Sequence, residues 1–117
     1  MSVQKIINAL KSKRFSLFNE KVLQSEIEAS FKSEQIRFIR EFHLNQKDIP
    51  DFYIVEGGIC IEVKICGSAK TIYRQLERYS KHELVKVIIL ATNRSMGLAA
   101  QINGKDCYMV KLGENWI

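Results

Sequence analysis

The chain has 117 residues, 46% hydrophobic and 26% charged, a length that suits one domain with its own core and leaves no room for a second. Eighteen Lys and Arg against thirteen Asp and Glu give a net charge of +5, which favours a polyanionic partner without identifying one. No apolar run approaches the roughly 20 residues that span a bilayer, and the start MSVQKIINALKSKR has neither the apolar stretch nor the cleavage site of a secretory signal, so the expected setting is intracellular, cytoplasmic and without a membrane.

Val3, Ile6, Ile7 and Leu10 fall at helical spacing, with Lys5, Lys11, Lys13 and Arg14 around them. The first nineteen residues hold four basic groups and no acid, so a basic helix or arm is expected over residues 1 to 18, ahead of a core over residues 19 to 112. Asn19, a good N-cap type, opens a second helix that runs to about residue 33. Leu23, Ile27 and Phe31 share its buried stripe with Glu20 and Gln24, and Glu26 and Glu28 lie to either side. Glu20 thus points toward the core side at the helix start, although an acid in a first turn also serves as an ordinary dipole-favoured surface group.

From Ile36 the pattern turns to strands, over residues 36 to 44, 50 to 55 and 59 to 65, with Gly57-Gly58 as a two-residue hairpin loop between the last two. In the third strand Ile59, Ile61, Val63 and Ile65 line one face, and Cys60, Glu62, Lys64 and Cys66 the other. A helix is expected over residues 69 to 83, with Ile72, Leu76 and Tyr79 buried, Gln75 at the edge of that stripe, and Lys70, Arg74, Arg78 and Lys81 on the other side. Residues 85 to 92 form a continuous apolar run suited to a central strand. Beyond residue 95 a short helix or loop and a last strand near CYMVKL are expected, with Trp116 closing the core. Cys60, Cys66 and Cys107 make no CxxC pair and have only His43 and His82 as distant companions, so they read as three buried free thiols rather than a zinc site.

A two-residue Gly57-Gly58 loop sets Glu56 opposite Ile59, Tyr53 opposite Glu62 and Asp51 opposite Lys64. Opposed residues project to one side of a sheet, so Asp51, Glu62 and Lys64 form one polar cluster for any even loop length. Two carboxylates a few ångströms apart repel unless protonated or shared by a cation, and hard oxygen ligands at that spacing suit Mg2+ or Mn2+. Such an ion polarises a phosphate and acidifies a bound water, and an adjacent ammonium holds that water or offsets developing charge. The competing reading is a salt-bridge group on a solvated sheet face. Gln75 and Tyr79, one turn apart on the following helix, can point their polar tips together toward the end of the sheet.

Pro50-Asp51 followed by Glu62-Val63-Lys64 resembles the PD-(D/E)xK motif of the restriction-endonuclease-like nuclease superfamily, and the order of elements from residue 19 to residue 92 is similar to its αβββαβ core. Gln75-Leu76-Glu77-Arg78-Tyr79 resembles the QxxxY motif of RecB-type members, and the small size resembles stand-alone VRR-NUC proteins and Holliday-junction resolvases. The resemblance covers about two thirds of the chain. It implies an α/β fold with a mixed sheet flanked by helices, and Asp51 and Glu62 as metal ligands together with the Val63 carbonyl. It further implies Lys64 as the residue that positions or activates water, Glu20 as a metal-site accessory, and Gln75 and Tyr79 as braces of the site or phosphate contacts. Glu26 and Glu28 remain alternatives to Glu20. Lys11, Lys13, Arg14, Lys70, Arg74, Arg78 and Arg94 are the expected DNA contacts, with Lys5 beside them.

The function so implied is a Mg2+- or Mn2+-dependent DNA nuclease, an endonuclease on structured or branched DNA in recombination, repair or phage DNA processing, with no organic cofactor. A homodimer is expected, because so small a domain has little surface to encircle DNA. Two readings compete with it: an inactive nucleic-acid-binding or assembly module on the same fold, and an unrelated α/β interaction domain whose acid cluster is a surface ion pair.

Overall fold

Each helix begins at a polar side chain that accepts its otherwise unpaired N–H groups. Ser2 accepts from Lys5 in α1 (Val3–Lys11), Asn19 from Lys21 and Val22 in α2 (Glu20–Ser33), and Ser68 from Thr71 in α3 (Ala69–Ser80). The strands are β1 (Ile39–Arg40), β2 (Phe52–Ile54), β3 (Ile59–Lys64), β4 (Val87–Thr92), β5 (Gln101–Ile102) and β6 (Lys105–Lys111). This computed structural model describes residues 2 to 113, so Trp116, expected to close the core, lies outside the described residues.

The strands make one six-stranded mixed sheet in the order β1-β2-β3-β4-β6-β5. Strands β1 to β3 are antiparallel, β3, β4 and β6 are parallel, and β5 runs antiparallel to β6. From α2 to β4 the chain follows the expected order of helix, three strands, helix and strand.

Period-two alternation explains how both faces of the sheet become covered. Ile59, Ile61 and Val63 of β3, Phe52 and Ile54 of β2, and Ile89 and Ala91 of β4 pack against Ile6, Leu10, Leu23, Ile27 and Phe31 of α1 and α2. The alternate residues, Tyr53, Cys60, Ile88 and Leu90, meet Ile72, Leu76 and Tyr79 of α3. A residue on β3 is therefore buried on whichever side it points, and a polar one there needs partners.

Five expectations change. The β2–β3 register pairs Phe52 with Ile61, Tyr53 with Cys60 and Ile54 with Ile59, so Tyr53 does not face Glu62. The turn spans Val55 to Gly58, closed by the Gly58 N–H to the Val55 carbonyl at 3.2 Å, rather than a two-residue glycine loop. Gly58 takes φ +61° against Leu84 and Lys86, where a Cβ would lie 2.8 Å from the Leu84 carbonyl oxygen. That close approach fixes where the turn ends.

The strand expected over residues 36 to 44 shrinks to Ile39–Arg40, because Glu41 adopts φ +48° and its N–H donates to the Asp51 carbonyl. The C-terminal region holds a hairpin, β5–β6, turned by Asn103 and Gly104 at φ +50° and +78°, the left-handed pair such turns require. Cys60 and Cys107 are buried free thiols, but Cys66 is exposed, past the end of β3 and outside the two packed faces of the sheet.

Candidate active site

Continuing the β2–β3 register one step sets Asp51 level with Glu62 instead of Lys64. The turn is still of even length, so Asp51, Glu62 and Lys64 stay on the α3 side of the sheet. Backbone and side chains interlock there. Asp51 Oδ2 accepts from the Val63 N–H at 2.7 Å, Glu62 Oε1 accepts from the Asp51 N–H at 3.4 Å, and Lys64 Nζ lies 3.2 Å from Glu62 Oε2. Val63 itself points into the opposite core.

Glu62 is only 2% exposed and has the partners its burial demands. The Tyr79 hydroxyl donates to its Oε1 at 3.1 Å and accepts from Gln75 Nε2 at 2.9 Å. Gln75 and Tyr79 thus form a hydrogen-bonded chain from α3 to Glu62, their polar tips pointing together as the i, i+4 spacing allows.

Glu20 arrives from the other layer. Its Oε1 accepts from the Ile65 N–H at 2.8 Å, just past the end of β3, with Cys66 Sγ at 3.9 Å. Glu26 and Glu28 are committed elsewhere: Glu26 accepts from the Ser16 N–H and hydroxyl at 2.7 and 3.1 Å, and Glu28 pairs with Arg40 and Lys32. Among the three helical acids, Glu20 is the one that reaches the sheet end.

Electrostatics follow from this crowding. Burial, then the negative charge of Asp51, pushes the Glu62 carboxyl up to about 7, against the pull of Lys64 and the Tyr79 hydrogen bond. Burial pushes Asp51 up to about 6, with Glu20 adding repulsion and the Val63 N–H and Lys64 opposing. Lys64 is held above its ordinary value because the attraction of Glu62, Asp51 and Glu20 outweighs its burial. Tyr79 is raised by burial and by Glu62, so it stays a proton donor.

Among the described residues no three His, Cys, Asp or Glu side chains form a ready metal cage. Two mutually repelling carboxylates with one further acid standing off at Ile65 fit an ion that keeps much of its water and takes phosphate oxygens, which is how Mg2+ binds. That donor set is all oxygen, and it suits Mn2+ equally well.

The basic residues divide between the two layers. Lys5, Lys11, Lys13 and Arg14 are exposed on and after α1, and Lys70 and Arg74 are exposed on the first turns of α3, nearest the site in the chain. Arg94 follows β4, its N–H on Thr92 Oγ1. Arg78 is engaged by Asp48 at 3.0 Å.

Two contributors escaped the sequence reading. Buried Asp48 accepts from Arg78 Nε, lies 2.8 Å from His82 Nε2 and accepts from Asn45 Nδ2 at 3.2 Å. Burial raises its carboxyl, but these three hydrogen bonds outweigh that and hold it low. The network straps the loop that delivers Asp51 onto α3. The local Asn45-x-x-Asp48 spacing, with Asn45 Oδ1 accepting from the Lys47 and Asp48 N–H groups, was the available signal. Arg40, 5.0 Å over the Phe52 ring and bonded to Gln24 and Glu28, also favours the charged form of Asp51.

Compared with known proteins, the chain matches no family model, no curated protein and no solved structure, so its function has to be read from the site.

Proposed function

We propose that this protein is a divalent-metal-dependent DNA nuclease of the PD-(D/E)xK type. The observation that carries the reading is the convergence of Asp51, Glu62 and Lys64 at one end of β3, braced by Tyr79 and flanked by Glu20. An acid pair buried enough to hold its protons near neutrality is the kind of arrangement that a functional site retains and a structural salt bridge does not need. The helix, three strands, helix and strand leading to it, and the excess of basic residues, support the same reading.

Asp51 and Glu62 would hold Mg2+ or Mn2+, which supplies Lewis acidity toward a phosphate oxygen and a water. The Val63 N–H fixes the Asp51 carboxylate, and Tyr79 fixes that of Glu62, so both keep their orientation without substrate. Lys64, half-buried and charged, places an ammonium beside these acids, where it orients the attacking water and offsets charge that develops on the phosphate. Glu20 adds negative charge at the rim, and its grip on the Ile65 N–H fixes the segment after β3. DNA is the substrate, with the exposed Lys70 and Arg74 of α3 as phosphate contacts, and the working form is a homodimer.

The test is cleavage of linear, circular, single-stranded and four-way-junction DNA with Mg2+ or Mn2+. Asp51→Asn, Glu62→Gln and Lys64→Ala should each abolish cleavage in a folded protein. Full activity in any of them overturns the assignment, and Mn2+ binding without cleavage by the unaltered chain favours the inactive binding module.

A further inference from the structure

Phe18 is 81% exposed, the most exposed large apolar side chain among the described residues. Its neighbours hold it outward. Phe15 is buried, Ser16 is bonded twice to Glu26, Leu17 packs on the α1–α2 core, and Asn19 caps α2. Phe18 is thus an aromatic ring held out to solvent between anchored neighbours, where it buries little apolar surface. It precedes Glu20 by two residues, so the two Cα atoms lie within about 8 Å of each other. Glu20 in turn touches the end of β3. A net charge of +5 suits a polyanion, and an exposed aromatic ring beside the acid that reaches the end of β3 suits a nucleobase, whose π-face is the one apolar surface a polyanion offers.

We infer that Phe18 is a stacking platform for one unpaired base of the strand engaged at the Asp51–Glu62 site, an inference that rests on the nuclease reading above. In a continuous duplex the faces of the bases are already stacked on their neighbours, so the platform serves strand ends, gaps and branches. It makes Phe18 a specificity-determining residue outside the metal-binding acids.

The experiment compares the full chain with Phe18→Ala, Phe18→Leu and Phe18→Trp, using a short phosphorothioate single strand and its blunt duplex in Mg2+. Phe18→Ala should weaken single-strand binding about tenfold, the size of one base–aromatic stack, and change duplex binding by less than about twofold. Phe18→Trp should bind like the parent, and Phe18→Leu, apolar but without a π-face, like the alanine variant. A 2-aminopurine in the single strand should be quenched by the parent and not by Phe18→Ala. Equal loss on both substrates, or a leucine variant as good as phenylalanine, overturns the platform. So does loss of self-association in sedimentation with unchanged strand affinity, which assigns Phe18 to a contact between copies. A parent that binds and cuts DNA while Phe18→Ala matches it overturns the platform alone; a parent that neither binds nor cuts overturns the nuclease reading with it.

Discussion

The Tyr79 hydroxyl donates to Glu62 Oε1 at 3.1 Å and accepts from Gln75 at 2.9 Å, so its one proton is committed to the carboxylate. Donation favours the ionised form of Glu62, whose carboxyl already sits at about 7. Tyr79→Phe should therefore raise that value further and move the acidic limb of the rate profile to higher pH. Turnover at neutral pH should fall about tenfold, with a stability loss of about 1 kcal/mol. Cleavage rates across pH and parallel melts decide it, since a residue that only packs would leave the profile in place. Glu20 invites a similar separation of roles. Glu20→Gln keeps an oxygen for the Ile65 N–H but removes the charge that repels Asp51. Mn2+ affinity should fall several-fold while the melting temperature holds. Glu26→Ala should leave Mn2+ affinity unchanged, because that carboxylate is tied to Ser16.

The β2–β3 hairpin is the element that brings Asp51 level with Glu62, and Gly58 is its fixed point. Gly58→Ala would place a Cβ 2.8 Å from the Leu84 carbonyl oxygen at φ +61°, and the left-handed conformation alone costs about 1–2 kcal/mol. Denaturant unfolding should give a loss of about 2 kcal/mol or more, with cleavage impaired in whatever fraction remains folded. The sequence reads this hairpin in part, and the reason is parity. Moving the turn by one residue shifts each cross-strand partner by two, so the polar cluster survives while the exact pairs do not. The alternation of β3 is legible because β-branched residues repeat with period two. Its burial on both faces is not, because that depends on α3 packing over the side that carries Glu62. Helix phase points Glu20 toward the core side, yet what leaves it as the α2 acid at the sheet end is that Arg40 and Ser16, remote in sequence, occupy Glu28 and Glu26. The short β1 depends on a left-handed Glu41 whose N–H reaches the Asp51 carbonyl, and the Asp48 strap to His82 likewise joins distant segments, so no local pattern announces either. The β5–β6 hairpin differs from these: Asn103-Gly104 announces it locally, and reading the region as a loop misses a strong signal.

At the scale of the whole molecule, a chain with net charge +5 buries repelling acids where its two layers meet the end of the sheet, and this arrangement costs stability. The sign is set by the shifts. Asp51 at about 6 and Glu62 at about 7 lie above the ordinary carboxylate range, so the folded state holds protons more tightly than the unfolded one. The contribution of these two groups is then fully present below their unfolded values near pH 4 and is lost as pH rises through about 6 and 7. The metal-free protein should accordingly gain from Asp51→Asn at about pH 8, by on the order of 1–3 kcal/mol, and gain little at about pH 4. Mn2+ acts in the opposite sense, since it binds the ionised pair. It should raise the melting temperature of the unaltered chain at about pH 8 and lose that effect as protons compete for the acids below about pH 6. Calorimetric melts in EDTA and in Mn2+ at the two ends of this range test both halves together. The expected pattern is that Asp51→Asn is the more stable protein without metal and fails to respond to Mn2+. A variant less stable than its parent in EDTA at about pH 8 would mean that the acids are held for the fold rather than for a cation.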